Sequence, residues 1–403
     1  MKKSLTIVIG NLIEKENPQI RSDYFDFGYT KFGPFLYSYT RWLINEVKNV
    51  GCSKIIFFSR DGYMMKKAFD ILSGDRMPSI YAYFSRNSLR HGLICKCTGF
   101  KDSLKYLTHQ RYTSVGTVLD YLGFDTNERN EISEKYNLSL DMDIPTEEIS
   151  QQEKLCTIYY DYENMILSRS SQQRAMVRQY LTQIGLDKNT AIVDIGWHGS
   201  MQYYLEEFLR EESIPYKLNG FYVGIYPTVA VSGDLHGFVY DTTDQTYRKR
   251  ILCFLGVLEK LFQSREGSTI GYSKSDNFVV PVLSNYEYKG NEKAKNAIVE
   301  WQRGALDFVR KIDTYNVEYS KEEWIKPLLH FGMYPSLKEV KLFSFLYNDD
   351  GKKEFYTAQK PLFRYKANEL LHCLSDSPWK TGFMKSVFKI KFPYYEIYKV
   401  LRK

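Results

Sequence analysis

Lys54-Ile55-Ile56-Phe57-Phe58-Ser59-Arg60-Asp61-Gly62 is the stretch on which the fold turns. Its apolar run is short, continuous and β-prone, and it stops abruptly at a polar loop, after which Tyr63 to Leu72 follows helical spacing. A short apolar run bounded by turn residues reads as a strand covered on both faces. The same strand-then-loop pattern recurs at Ile80 to Phe84, which stops at Ser85-Arg86-Asn87-Ser88. It recurs at Ala191-Ile192-Val193, which runs into Asp194-Ile195-Gly196-Trp197-His198-Gly199-Ser200 and then a helix from about Met201 to Leu209. Asn219 to Tyr226 and Leu235 to Tyr240 add two further strands. Strands alternating with helices predict an α/β fold on a parallel, Rossmann-like sheet.

Working outward, Gly33-Pro34 opens a helix, because proline is tolerated in a first turn, and Phe35, Leu36, Tyr39, Trp42, Leu43 and Val47 recur at helical spacing. Residues 1–98 therefore read as the first part of the α/β core. Between 99 and 188 no strand is expected; Leu104 to Leu122 and Glu153 to Ile184 read as helices, forming an insertion that could act as a lid or cap. Residues 189–284 resume the core, and 285–403 form a helical C-terminal region, with Ile298, Trp301, Ala305, Phe308, Val309 and Ile312 at helical spacing and a further helix at Lys338 to Leu346.

The chain of 403 residues is 43% hydrophobic and 26% charged, a composition that supports a large core and excludes wholesale disorder. Its 34 Tyr and 25 Phe fill cores, and flat rings also stack on sugars and bases. Six scattered cysteines contain no paired CxxC motif, which argues against a structural zinc site. The apolar stretch Leu5 to Ile9 after Met1-Lys2-Lys3 is broken by Gly10-Asn11, so no signal peptide is expected. With no apolar run long enough to span a bilayer, a cytoplasmic location is expected.

In open parallel sheets, ligands bind outside the carboxyl ends of the strands. Three such ends are polar here. Asp61 and Asp194 are candidate catalytic groups, as base or as ligand to a divalent cation, the one cofactor the residues suggest, although the metal requirement stays open. His198 titrates in a range suited to acid–base work, or serves as a hydrogen-bonding spacer. Arg60 and Arg86 present planar forks that suit phosphate oxygens, or form structural ion pairs. Gly62, Gly196 and Gly199 permit close backbone approach, and Ser200 and Gln202 open a helix whose free N–H groups suit phosphate. Ser85, Trp197, able to stack on a sugar or pack on the sheet, and Glu259, on a helix with Leu255, Leu258, Leu261 and Phe262, complete the candidate binding set.

Phe32-Gly33-Pro34-Phe35-Leu36-Tyr37 with Trp42-Leu43, then Ile56 to Tyr63, Ser85-Arg86 and Val193 to Gln202 carry a family resemblance. Over roughly residues 24 to 272 the chain resembles the large predicted hydrolases, assigned to the haloacid dehalogenase superfamily, that are encoded among bacterial capsule and O-antigen polysaccharide genes. The resemblance implies that it corresponds to the portion following the phosphatase domain of the longer relatives. The superfamily's nucleophilic Asp falls on Ser59 and its second Asp on Asp61, while Ser85 falls where the second-motif Ser or Thr would lie. The resemblance implies a surface-polysaccharide biosynthesis protein, expected to be a transferase acting on a phosphorylated or nucleotide-activated sugar. A phosphoester hydrolase and a non-catalytic adaptor, binding an activated sugar or a glycosyltransferase, are the alternatives. An acidic strand tip followed five residues later by Gly, Asp194 to Gly199, is also shared with the phosphoribosyl-diphosphate loop, without its paired acids and usual Thr.

The net charge is +7, and from Trp379 onward seven basic residues stand against Glu396 alone. Trp379, Phe383, Val387, Phe388, Phe392, Tyr394, Tyr395 and Tyr398 are interleaved with them, a pattern that suits peripheral contact with the inner membrane face. No nucleic-acid motif accompanies the patch, so nucleic acid is not an expected partner.

Overall fold

The computed structural model describes residues 4–16, 19, 21–74, 77–107, 111–315, 317–349 and 353–401. Met1, Lys2, Lys3, Arg402 and Lys403, which enter the readings of the two termini above, lie outside them. Five parallel strands form the central sheet: β1 (Lys54–Phe58), β2 (Ser79–Ala82), β3 (Thr190–Trp197), β4 (Leu218–Ile225) and β5 (Asp234–Tyr240), in the order β2-β1-β3-β4-β5. The fold class is α/β, as the apolar runs predict.

Side-chain alternation along the strands explains why those runs are continuous rather than alternating. Ile55, Phe57, Ala191 and Val193 enter one core, with Tyr39 and Leu43 of α1 (Gly33–Val50), Met65 and Phe69 of α2 (Gly62–Ser73), and residues farther along the chain. Ile56, Phe58 and Ile192 enter a second core on the opposite face, with Val177 and Tyr180 of α3 (Glu163–Gln183) and Leu205 and Phe208 of α4 (Ser200–Glu211). Both faces of β1 and β3 are buried, which is why Ile55 to Phe58 and Ala191 to Val193 are continuously apolar. Helices α5 (Leu255–Phe262) and α6 (Glu292–Asp313) add to the first core, α6 through Ile298, Trp301, Ala305 and Phe308.

Strand order decides where a ligand can sit. The chain leaves β1 toward β2 on one side and leaves β3 toward β4 on the other, so the direction of winding reverses between β1 and β3. At such a reversal the loops diverge and open a crevice outside the strand ends. Asp61 follows β1 and Asp194 lies in the outer half of β3, past the last β1–β3 pair at Phe57 and Val193.

Two features of β3 and β4 come from close packing. Gly196 has φ +119, and a Cβ there would lie 2.0 Å from the Gly224 carbonyl oxygen. Gly196→Ala should therefore cost at least about 2 kcal/mol through clash and backbone strain, read as a lower denaturation midpoint. The return from β4 to β5 is an irregular segment, residues 226–233, with no crossover helix. Buried Glu206 of α4 satisfies its backbone, accepting from Ser232 N at 2.6 Å and Gly233 N at 3.0 Å. Gln202 supports that carboxylate, donating to Glu206 at 2.8 Å while accepting from Tyr222 Oη at 2.8 Å.

Several elements depart from the expectations. The expected helix from Leu104 to Leu122 is broken by a strand, Tyr112–Ser114, paired antiparallel with Asp143–Pro145. Ser114 accepts from Thr117 N at 3.2 Å and so starts a new helix at Val115. A hairpin of β6 (Thr269–Ser275) and β7 (Phe278–Leu283) was not expected, and a shorter one joins Tyr347–Asp349 to Lys353–Phe355. Glutamines of α3 dock the first hairpin like a neighbouring strand. Gln173 exchanges bonds with Tyr272 N and O at 3.0 and 3.2 Å, and Gln183 does so with Val279 N and O at 3.0 and 3.1 Å.

The C-terminal tail is largely core. Trp379, Phe383, Val387, Tyr394, Tyr395 and Tyr398 are buried, and of the aromatics named above only Phe388 and Phe392 are exposed. Trp379 packs on Phe331, with ring centroids 4.9 Å apart, and donates its indole N–H to Gly332 O at 3.1 Å. Pro393 stands before Tyr394–Leu401, which follows Lys380–Phe388, so two short helices replace a single amphipathic one. No described helix is long and apolar enough to cross a membrane.

Candidate functional site

Asp61 occupies the N-cap position of α2, yet its side chain makes no capping bond. Its Oδ1 has no solvent contact and no hydrogen-bond partner, an unusual state for a buried carboxylate oxygen. Burial pushes its pKa up, opposed by Gln263, Arg60, Lys260 and Arg86. Asp194 is buried as well, and burial with the nearby charge of Asp61 raises it to about 8, against the Ile195 N–H and Arg86. Glu259 on α5 rises to about 7 for the same two reasons, opposed by a hydrogen bond from Trp197 and by Lys260 and Arg86. Three carboxyl groups thus share one poorly solvated place, where full ionisation of all three is unfavourable.

Arg86, which begins the short helix after β2, is exposed and makes no ion pair or hydrogen bond among the described residues, yet its charge is felt by all three carboxyl groups. The three polar strand ends therefore meet around one locus, as the sheet order requires. His198 lies beside it with part of its ring reaching solvent; desolvation of the rest, with the charges of Arg248 and Arg86, lowers its pKa against a hydrogen bond with the Tyr226 backbone.

Arg60 has a different position from that expected of a free phosphate clamp. It pairs with Glu287 at 2.7 Å and donates to Glu266 O at 3.2 Å. Lys260 pairs with the other oxygen of Glu287. Burial raises Glu287, but Lys260 and Arg60 outweigh it and hold the carboxylate below its usual range. Arg60, Glu287 and Lys260 form a buried ionic network next to Asp61.

Other expected ligand contacts are already occupied by protein. Ser85 caps its helix, accepting from Ser88 N at 3.0 Å, and donates to Thr269 O at 2.5 Å. Trp197 donates its indole N–H to Glu259 at 2.8 Å and stacks on Tyr240, so its face is covered. Gln202 is fully buried in the Glu206 network rather than at the crevice. Gly62 sits against Phe57, Gly196 against Gly224, and Gly199, at φ +74, against Val231 at the start of α4. Ser200, the first residue of α4, is half-buried.

Sequence reasoning missed Lys260, Gln263 and Glu287, while Glu266 lies in the polar segment Ser264-Arg265-Glu266-Gly267-Ser268 that follows the Glu259 helix. Lys260 adjoins Glu259, but Glu287 stands in Asn285-Tyr286-Glu287-Tyr288, which carries no motif. A cavity of about 580 Å³ lies alongside, lined by Tyr63, Lys67, Tyr81, Tyr83, Arg265 and Glu266 among others. Glu266 accepts from Tyr81 and Tyr83 hydroxyls at 2.8 and 3.2 Å, and the Arg60 carbonyl accepts from Ser264 N at 3.1 Å, which ties this cavity wall to the Asp61 loop. As for a divalent cation, no group of three or more His, Cys, Asp or Glu among the described residues has the geometry to hold one. The chain matches no model of a known protein family and no curated protein at a significant level.

Proposed function

We propose that the chain is a Rossmann-like enzyme of bacterial surface-polysaccharide assembly, a transferase that acts on a phosphorylated or nucleotide-activated sugar in the crevice between β1 and β3. The observation that carries this reading is the meeting, beside Asp61 and the unpaired Arg86, of two carboxyl groups, Asp194 and Glu259, raised to about 8 and about 7 at the winding reversal. A group titrating near neutrality is matched to general acid–base work, because it both holds and releases a proton at the working pH. Asp194 or Glu259 would move the proton of an attacking or leaving hydroxyl. Arg86 would hold phosphate oxygens in its planar fork. The tyrosine-lined cavity beside Arg60, with Lys67 and Arg265 on its wall, offers stacking and charge for the rest of the donor.

The hydrolase reading has less support. Ser59 holds the position of the superfamily's nucleophile and its hydroxyl donates to Phe84 O at 3.4 Å, so no carboxylate is placed for an aspartyl-phosphate. Incubation with a panel of sugar phosphates and nucleotide sugars, with and without acceptor saccharides, separates the readings by phosphorus NMR. Transfer requires acceptor, hydrolysis releases phosphate without it, and an adaptor binds without turnover. Arg86→Ala should weaken binding of the phosphorylated ligand by about 10–100-fold with an unchanged melting temperature. Equal binding by variant and wild type would remove Arg86 from the site.

A further inference from the structure

The turn Phe388-Lys389-Ile390-Lys391-Phe392 projects from the C-terminal helices with an arrangement that the core does not explain. Phe388, Ile390 and Phe392 are 41%, 57% and 48% exposed, although their neighbours Val387, Tyr394 and Tyr395 are buried. Lys389 and Lys391 alternate with them, are exposed and make no ion pair among the described residues. The turn is also held in shape. Lys385 Nζ donates to Ile390 O at 2.9 Å, Tyr394 Oη donates to the same oxygen at 3.3 Å, and Phe388 stacks on Tyr394 with an interplanar angle of 17°. A second exposed apolar pair, Leu362 and Phe363, lies on a segment that packs against the same helix, with Tyr365 on Phe383 and Ala358 N bonded to Ser386 Oγ at 2.8 Å. Arg364 lies near the Phe363 ring.

We infer that this turn docks the protein on an anionic membrane surface, with Phe388, Ile390 and Phe392 entering the headgroup boundary and Lys389 and Lys391 meeting lipid phosphates. The chemistry distinguishes this occupant from a protein partner. A stable protein interface needs about 1,000 Å² of complementary surface, whereas a bilayer is engaged by a few inserted apolar side chains and adjacent cations. The alternation of apolar and basic residues suits such an amphipathic boundary, and polyanions without an apolar layer would leave the three apolar side chains in water. The inference stands apart from the reaction at β1 and β3, since none of these residues belongs to that site.

The test is co-sedimentation of the full chain with phosphatidylcholine–phosphatidylserine vesicles and with phosphatidylcholine vesicles alone, comparing wild type, K389Q/K391Q and I390S/F392S. Wild type is expected to pellet with the anionic vesicles and weakly with the neutral ones. Removing the lysines should weaken partition by about five-fold per lysine, and I390S/F392S should weaken it on both vesicle types. The substituted side chains are exposed, and thermal melts check that each variant stays folded. Absence of binding, equal binding by all three proteins, or a variant that loses only self-association while still binding vesicles would each overturn the inference.

Discussion

Replacing Asp194 by Asn is expected to lower turnover of the cognate phosphorylated sugar by about 10²–10⁴-fold, while making the protein more stable at alkaline pH. Both results come from one cause. Burial and the charge of Asp61 raise Asp194 to about 8, far above the range of an exposed carboxyl group. The folded protein therefore keeps a proton that the unfolded chain has released, throughout the interval between the two pKa values. Within that interval stability falls as pH rises, and it stops falling once the folded group has ionised. Glu259, raised to about 7, has the same sign. Thermal melts from about pH 5 to pH 9 should show a decline that Asp194→Asn makes shallower, with the variant melting higher than wild type near pH 8. A variant that melts lower at every pH, with unaltered turnover, would assign Asp194 to packing alone.

The second large effect lies beneath the site. Glu287→Ala should destabilise the fold by about 3–5 kcal/mol, because it strands two cations: Arg60 at 17% and Lys260 at 6% side-chain exposure both pair with that carboxylate. Arg60→Ala should also destabilise, by less, since Lys260 still neutralises Glu287. Arg60 was expected to be a free ligand contact, so urea denaturation of both variants discriminates the two roles. Midpoints within error of wild type would show that the network contributes nothing and return Arg60 to the ligand.

Particular residues show how far the sequence is legible. The strands β1 and β3 were legible because burial on both faces leaves no polar residue to interrupt Ile55 to Phe58 or Ala191 to Val193. Their polar ends were legible as charged groups following such a run: Asp61 stands beyond β1, while Asp194 lies past the end of the β1 pairing but still within β3, paired with β4. What those ends do was less legible. Whether an arginine is free or paired depends on a partner far along the chain, and Arg60 and Glu287 are separated by 227 positions. Ser85 and Gln202 looked like ligand contacts, yet their hydrogen bonds go to Thr269 and to Glu206 and Tyr222, which no local pattern announces. The hairpin of β6 and β7 escaped notice because its strands are half-exposed and carry Pro281, and because much of its support comes from Gln173 and Gln183 on a distant helix. The tail was legible only in part: its aromatics alternate with lysines in sequence, yet Trp379, Tyr394 and Tyr395 face the core while Phe388 and Phe392 are exposed.

The account rests on carboxyl groups that hold protons near neutrality, and carbon-13 NMR titration of the Asp and Glu side-chain carboxyl carbons observes that directly. In wild type, two carboxyl resonances should titrate with midpoints near the values of about 8 for Asp194 and about 7 for Glu259. Asp194→Asn should remove the first. If every carboxyl carbon instead titrates with a midpoint below about pH 5, as unperturbed Asp and Glu do, the acid cluster between β1 and β3 is fully ionised at neutral pH and its assignment to acid–base chemistry is wrong.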